Sequence, residues 1–371
     1  MIPVSKYISN LIGWRSGRKI VVFESDDWGS IRMPGKEVRD TLIKQGIRVD
    51  GNYFTNLDCL EDVAELQDLV ETLMKFRDCN GRYPIFTTLN ILGNPDFEGI
   101  MAGGFKEYFW QHVDDTYRAY GSDPVQMASI WKSAEEAGVL IPEFHGREHV
   151  NVPRWLRGLA AGFPVTRLAC SMHLTGIKPH HAKEDREDYQ AAFDIDLSED
   201  IPVINGLLSA GLTEFEHYFG RKARYFVPTN GPVSKQAYPV LKDHGILYLN
   251  SSKMEREPMG NGKYKKLYRY LGKRVKPGLT IITRNVFFEP SAADRAGDWV
   301  NKTLGDIEIA FRFGKPAIIS THRVNFIGSI DPSNKQRGLS QLERLLKEIL
   351  KRWPDVEFMS STELGGIMNE K

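Results

Sequence analysis

Apolar and polar positions change period repeatedly along the chain, from the short runs of strands to the three-to-four spacing of helices. "KIVVFE" (19–24) is an apolar run of strand type, and "GKEVRDTLIKQG" (35–46) reads as a helix closed by Gly46. Between Leu57 and Phe76, the residues Leu57, Leu60, Val63, Ala64, Val70, Leu73 and Met74 fall at helical spacing. "YPIFTTLNI" (83–91) predicts a strand. "SDPVQMASIWKSAEEAG" (122–138) predicts a helix with Asp123 as N-cap, Pro124 at the first helical position and Gly138 at its end, before "VLIPEF" (139–144) extends again.

The second half repeats the alternation. "PVTRLACS" (164–171) reads as a strand, "EDIPVINGLLSAGLTEFEHYFG" (199–220) as helical, "ARYFVP" (223–228) as a strand, "SKQAYPVLKDHG" (234–245) as a helix and "ILYLNSS" (246–252) as a strand. After "LTIITRNVFF" (279–288), a helix through 292–313 leads to the strand "KPAIIST" (315–321), a last helix "SQLERLLKEILKRW" (340–353) and "VEFMSS" (356–361). Strands alternating with helices imply a mostly parallel sheet, and seven or eight such units suit a closed barrel, whose chemistry gathers at the C-terminal strand ends. No 20–50-residue repeat and no Pro-, Gly- or Ser-rich linker divides the chain, so one α/β domain over 1–371 with long loop insertions is expected.

Three strand ends carry polar residues where the apolar run stops. The first holds Asp26 and Asp27, with Glu24 two residues earlier and on the same side of the strand as Asp26. Carboxylates crowded in this way repel unless something positive sits among them: a metal, a basic side chain or a shared proton. The second, "EFHGREHVN", places His145 and His149 four apart, on one face if a helical turn begins there. The third is His322 in "ISTHRVNF". Taken singly, adjacent aspartates are commonly a turn, and a lone strand-end histidine is commonly structural. Their recurrence at one end of a barrel points instead to a site, and two histidines with a carboxylate form a set that suits catalytic zinc.

Composition narrows the partners. The 371 residues carry a formal net charge of +1, which argues against the strong positive field of most nucleic-acid binding. No apolar run is long enough to span a membrane, and the N-terminus lacks a signal-peptide pattern. Cys59, Cys79 and Cys170 lie far apart without metal-type spacing, fitting reduced thiols in a cytoplasmic protein.

The order "IVVFESDDWG", "VLIPEFHGREH", "FGRKARYFVPTNG", "KPAIISTHR" and "ERLLKEILKRWPDVEFMSSTEL" resembles the polysaccharide deacetylases of the NodB-homology type, a superfamily of distorted (β/α)7–8 barrels. The resemblance runs from about residue 19 to about residue 365, interrupted by insertions near 50–80, 92–122 and 171–200. It implies Asp26 as catalytic base, Asp27, His145 and His149 as ligands of a divalent metal, zinc by preference, and His322 as general acid. One carboxylate would be neutralised by the ion while the other stays free to take a proton.

Three departures from that pattern stand out. Val227 occupies the place of the arginine that orients the base in such enzymes, with Thr229 and Asn230 in place of Pro-Tyr; Arg224, Arg284 and Arg323 are the candidate substitutes, and Asn230 borders the oxyanion segment. The aspartate that tunes the acid histidine has no clear match. Trp28 replaces a usual glycine, either to stack on a sugar or to fill core, and Glu24 either supports the site or forms a structural ion pair.

The implied activity is removal of an acyl group, N-acetyl foremost, from a sugar or sugar conjugate, with a biosynthetic intermediate such as a nucleotide- or lipid-linked sugar as the expected substrate. Hydrolysis of a non-sugar linear amide and a catalytically inactive carbohydrate-binding barrel are the alternatives. Outside the motifs, "KYKKLYRYLGKRVKP" (263–277) interleaves cations with tyrosines, and the acidic stretch Glu184–Asp200 after His180 and His181 is a candidate lid.

Overall fold

The computed structural model describes residues 7, 10–177, 189–292 and 297–370. Eight strands carry the site: β1 (Lys19–Trp28), β2 (Phe86–Ile91), β3 (Leu140–Gly146), β4 (Tyr225–Phe226), β5 (Tyr248–Asn250), β6 (Leu279–Ile282), β7 (Val286–Phe287) and β8 (Ala317–His322). They pair in parallel in the order β6-β5-β4-β3-β2-β1-β8-β7. Arg274–Val275 runs antiparallel along β6, and Val356–Phe358 pairs with the start of β1.

This sheet curls into a barrel. In a flat sheet β4 would lie about 14 Å from β1, three strand spacings away, yet the Tyr225 hydroxyl donates to Glu24 Oε1 at 2.8 Å. The barrel is open along one seam, since among the described residues no ladder joins β6 to β7. Both belong to one extended segment, which pairs with β5 through its first half and with β8 through its second. Only Thr283–Asn285 separates the halves, too short for the helical crossover that would let both become full neighbouring strands.

Alternation along β1 sorts its side chains. Ile20 and Val22 join Leu89, Tyr225, Val227, Ile282 and Ile318 in a buried cluster inside the curl. Val21 and Phe23 face outward into the layer beneath the helices Val63–Met74, Pro124–Glu136, Trp299–Arg312 and Pro332–Arg352. Helix Ser361–Asn369, absent from the sequence reading, adds Leu364 and Met368 to the inner cluster and donates Ser361 Oγ to Glu24 at 2.6 Å.

Two other elements differ from expectation. Pro164–Ser171 is a helix, with Pro164 in its first turn and Thr166, Ala169 and Cys170 buried at i, i+3 and i+4. The 57–76 segment is split: helix Tyr53–Leu57 ends, residues 58–62 run extended, and helix Val63–Met74 starts from an Asp62–Glu65 capping box. That break turns Asp58 and Glu61 inward onto Arg323. No helix among the described residues is long and apolar enough to cross a membrane.

Candidate metal centre

In a regular strand Asp26 and Asp27 would point to opposite faces. β1 avoids this with a bulge: Ser25 pairs with Thr88 and Trp28 with Asn90, so three steps on β1 match two on β2. Asp27 takes φ 78, a left-handed conformation uncommon outside glycine, and Gly29 follows at φ 80. The extra residue brings Asp27 to the inner face beside Asp26 and sends Trp28 outward. Trp28 is therefore core, edge-on to Trp131 at 5.7 Å with its indole N–H on Ser25 Oγ, and not a sugar platform.

Asp27 Oδ1 lies 3.3 Å from His145 Nε2 and 3.0 Å from His149 Nε2, and all three side chains are buried. The helical turn expected from the HxxxH spacing does not form. His145 sits on β3, Gly146 at φ 156 ends the strand at a register shift against β2, and an irregular loop returns His149 before helix Val152–Ala160. The Nδ1–H of His145 donates to the Val227 carbonyl at 2.7 Å, which leaves the Nε2 lone pair aimed at Asp27. Burial pushes the His149 imidazole below its ordinary value, favouring the neutral form that ligates metal, and among the described residues its Nδ1 has no hydrogen-bond partner.

These donors fit a divalent ion. Ligands at 2.0–2.1 Å in a tetrahedral site are separated by roughly 3.3 Å, and the separations from Asp27 Oδ1 to the two imidazoles, 3.0 and 3.3 Å, lie close to that. Asp27 supplies charge as well as position. Burial opposes its ionisation, but His149, His145 and Arg32 outweigh burial and hold the carboxyl well below the usual range. Arg32, which sequence reasoning missed, meets the other oxygen, with Nη2 3.3 Å from Asp27 Oδ2, and packs over the Phe54 ring at 5.1 Å.

Asp26 faces a different partner. Arg284, at the open seam, donates Nη1 and Nη2 to its two oxygens at 2.6 Å each and Nε to Glu24 Oε2 at 2.6 Å. Burial raises the Asp26 pKa, but the guanidinium, with His322 and His145, overrides it and keeps the group below its ordinary value. Of the three candidate substitutes for the arginine missing at Val227, Arg284 alone touches Asp26. Arg224 is exposed and bonds the Gly245 carbonyl. Arg323 is fully buried behind the site, donating to Asp58 and Glu61, and Glu61 in turn accepts from the Gly29 N–H. Glu24 supports Arg284 from below, itself held by Tyr225 and Ser361.

His322 ends β8 directly opposite Asp26 in the parallel register, with Nε2 3.7 Å from Asp26 Oδ2. Its Nδ1 bonds Glu289 Oε1 at 2.6 Å, and Asn325 fixes the other Glu289 oxygen at 2.8 Å. Glu289 fills the place of the tuning carboxylate that could not be located in the sequence. The signal was present, since Glu289 is the first polar residue after the apolar run Val286–Phe288. Burial alone would lower the imidazole pKa, but Glu289, then Asp26 and Asp27, raise it to about 9. Stability from this raised histidine is fully present below about 6.5 and is lost as pH rises through about 9.

Glu289→Gln removes the largest raising charge, so the alkaline limb of a pH–rate profile is expected to move down by about one to three units. The check is kcat/KM against pH for both proteins carrying the same ion; an unmoved limb would refute the role of Glu289.

Asp26, Asp27, His145, His149, Arg284 and His322 open on one cavity of about 910 Å³. Phe54 from the first insertion, Tyr189 and Gln190 from the third, Asn230 and the Ser251–Lys253 segment also line it. Of the candidate lid Glu184–Asp200, residues 184–188 lie outside the described residues, as do His180 and His181, while 189–200 packs down with Tyr189 and Asp194 buried.

The fold is a curled, mostly parallel α/β barrel, and Asp27, His145 and His149 form a buried donor set that could hold a divalent ion. In fold the chain is similar to a probable polysaccharide deacetylase from Pseudomonas aeruginosa PAO1, at 8% identity over 96% of this chain and 92% of that one, TM-score 0.51. It also matches Puue allantoinase (9% identity, 95% and 91% covered, TM-score 0.47) and the alpha-amylase AmyC from Thermotoga maritima (11%, 95% and 74%, TM-score 0.45). No family model and no curated protein matches the sequence.

Proposed function

We propose that the protein is a metal-dependent hydrolase that removes an acyl group, N-acetyl foremost, from a sugar or sugar conjugate. The observation that carries this reading is the division of labour between adjacent carboxylates: Asp27 is turned to two histidines, and Asp26 is held by Arg284 opposite His322. A binding site alone would need the first set and not the second, so the pairing favours turnover over an inactive carbohydrate-binding barrel.

Asp27, His145 and His149 would hold the ion, and zinc suits two imidazoles and a carboxylate. Once bound, it supplies Lewis acidity to the acyl carbonyl and acidifies water in the cavity. Asp26, kept ionised and oriented by Arg284, accepts the proton of the attacking water. His322, kept protonated by Glu289, delivers a proton to the departing amine. Base and acid therefore stand in opposite protonation states at neutral pH, as their surroundings dictate.

The direct test is acetate release from a panel of N-acetyl sugars by protein loaded with zinc, against the same protein stripped with chelator. Acetate released only by the loaded protein supports the reading, and none from any acyl sugar with the ion bound would refute it.

A further inference from the structure

The first part of the basic, tyrosine-rich stretch noted in the sequence is one strand of an exposed hairpin, Met254–Pro258 paired antiparallel with Tyr264–Tyr268. Directly paired and alternate residues share a face, so Met254/Tyr268, Arg256/Lys266 and Pro258/Tyr264 form three rows on one side. All but Pro258 are exposed, Tyr268 to 71% and Met254 to 56%. The Arg256 guanidinium lies over the Tyr264 ring at 4.4 Å.

Charge is segregated across the hairpin. Its acids, Glu255 and Glu257, turn inward, the first onto Arg269 at 2.6 Å and the second onto Lys235 at 3.3 Å. The outer face of the hairpin keeps the cations and rings and carries no carboxylate of its own, with Asp194 of the neighbouring 189–200 segment reaching it to accept from the Tyr264 hydroxyl at 2.7 Å, in a chain whose overall charge is only +1. Lysines on an edge strand can serve simply to block aggregation, but that purpose is poorly served by leaving Tyr268 and Met254 beside them in water.

The hairpin starts where the cavity ends. Ser251, Ser252 and Lys253 line the cavity, and Met254 is the next residue. Among the described residues the cavity lining is also cationic: Arg32, Arg48, Lys253 and Arg284 stand there with the carboxylates Asp26 and Asp27. Arg32 and Arg284 answer those carboxylates, whereas exposed Arg48 pairs with none among the described residues.

From this continuity we infer that the hairpin face binds an acidic glycan chain whose acylated residue occupies the cavity. Tyr268 offers its ring to a sugar face, and Lys266 and Arg256, the latter held over the Tyr264 ring, meet carboxylate, sulfate or phosphate substituents. The inference rests on the proposed deacylase reading and narrows its substrate to an acidic oligomer or polymer.

The test titrates full-length, zinc-loaded protein with a hyaluronan octasaccharide, an N-acetylglucosamine hexamer, a single-stranded oligonucleotide and anionic phosphatidylserine vesicles. Turnover of a small N-acetyl sugar is followed separately. The octasaccharide is expected to bind tightest and to weaken as salt rises. Lys266→Glu should weaken it about tenfold and Tyr268→Ala about three- to tenfold, with small-substrate turnover unchanged in both. Equal binding of octasaccharide and neutral hexamer, unchanged affinity in both variants, or tighter binding of oligonucleotide or vesicles would each overturn the inference. A protein that binds the octasaccharide through the hairpin yet hydrolyses no acyl sugar would instead refute the deacylase reading and leave the surface standing.

Discussion

Asp26→Asn is expected to lower kcat by about 10²- to 10⁴-fold, the usual contribution of a positioned general base, while metal content per chain stays unchanged. The substitution keeps the shape and one acceptor oxygen, so Arg284 retains part of its contact and its whole contact with Glu24. It removes the carboxylate that stands 3.7 Å from His322 and is proposed to take the proton. Asp27 and both histidines, which do not depend on Asp26 for position, keep their hold on the ion. The measurement pairs elemental analysis with steady-state rates on the best acyl-sugar substrate. Retained turnover would dismiss Asp26 as base, and loss of the ion with the activity would show that the two carboxylates are not separable.

His145→Ala with His149→Ala is expected to abolish stoichiometric metal binding, weakening affinity by more than about 100-fold, beyond the loss typical when only a supporting residue is removed. Asp27 would keep Arg32 as its nearest counter-charge, and one carboxylate is too few ligands for zinc. The readout is a competition titration with a chromogenic chelator, made alongside circular dichroism to show that the fold persists. Undiminished affinity in a folded double variant would locate the ion elsewhere.

The sequence disclosed the strand ends, because a buried strand stops where its apolar run stops and a barrel collects those stops at one rim. Asp26, Asp27, His145, His149 and His322 were legible for that reason, and Glu289 obeyed the same rule unnoticed. Arg32 gave no sign, since nothing about a single arginine after a glycine turn says which carboxylate it will meet. Arg284 could be named but not chosen. Three arginines were available, and only the seam between β6 and β7 brings one of them to Asp26.

Element type was decided most reliably where period and caps agreed, as in helix Pro124–Glu136 with its Asp123 cap. It failed at Pro164–Ser171, where eight residues of mixed polarity satisfy either period and only burial separates them. What the sequence determined alone was local: the alternation of strands and helices, the residue types at each strand end, and the chemistry those types permit. The tertiary structure decided what lies across space. One extra residue at Ser25–Trp28 reverses the side on which Asp27 emerges, the curl brings Tyr225 to Glu24, and the open seam hands Arg284 to Asp26. Side-chain parity and long-range closure depend on how strands register with partners far along the chain, and that information is not carried by any single stretch of sequence.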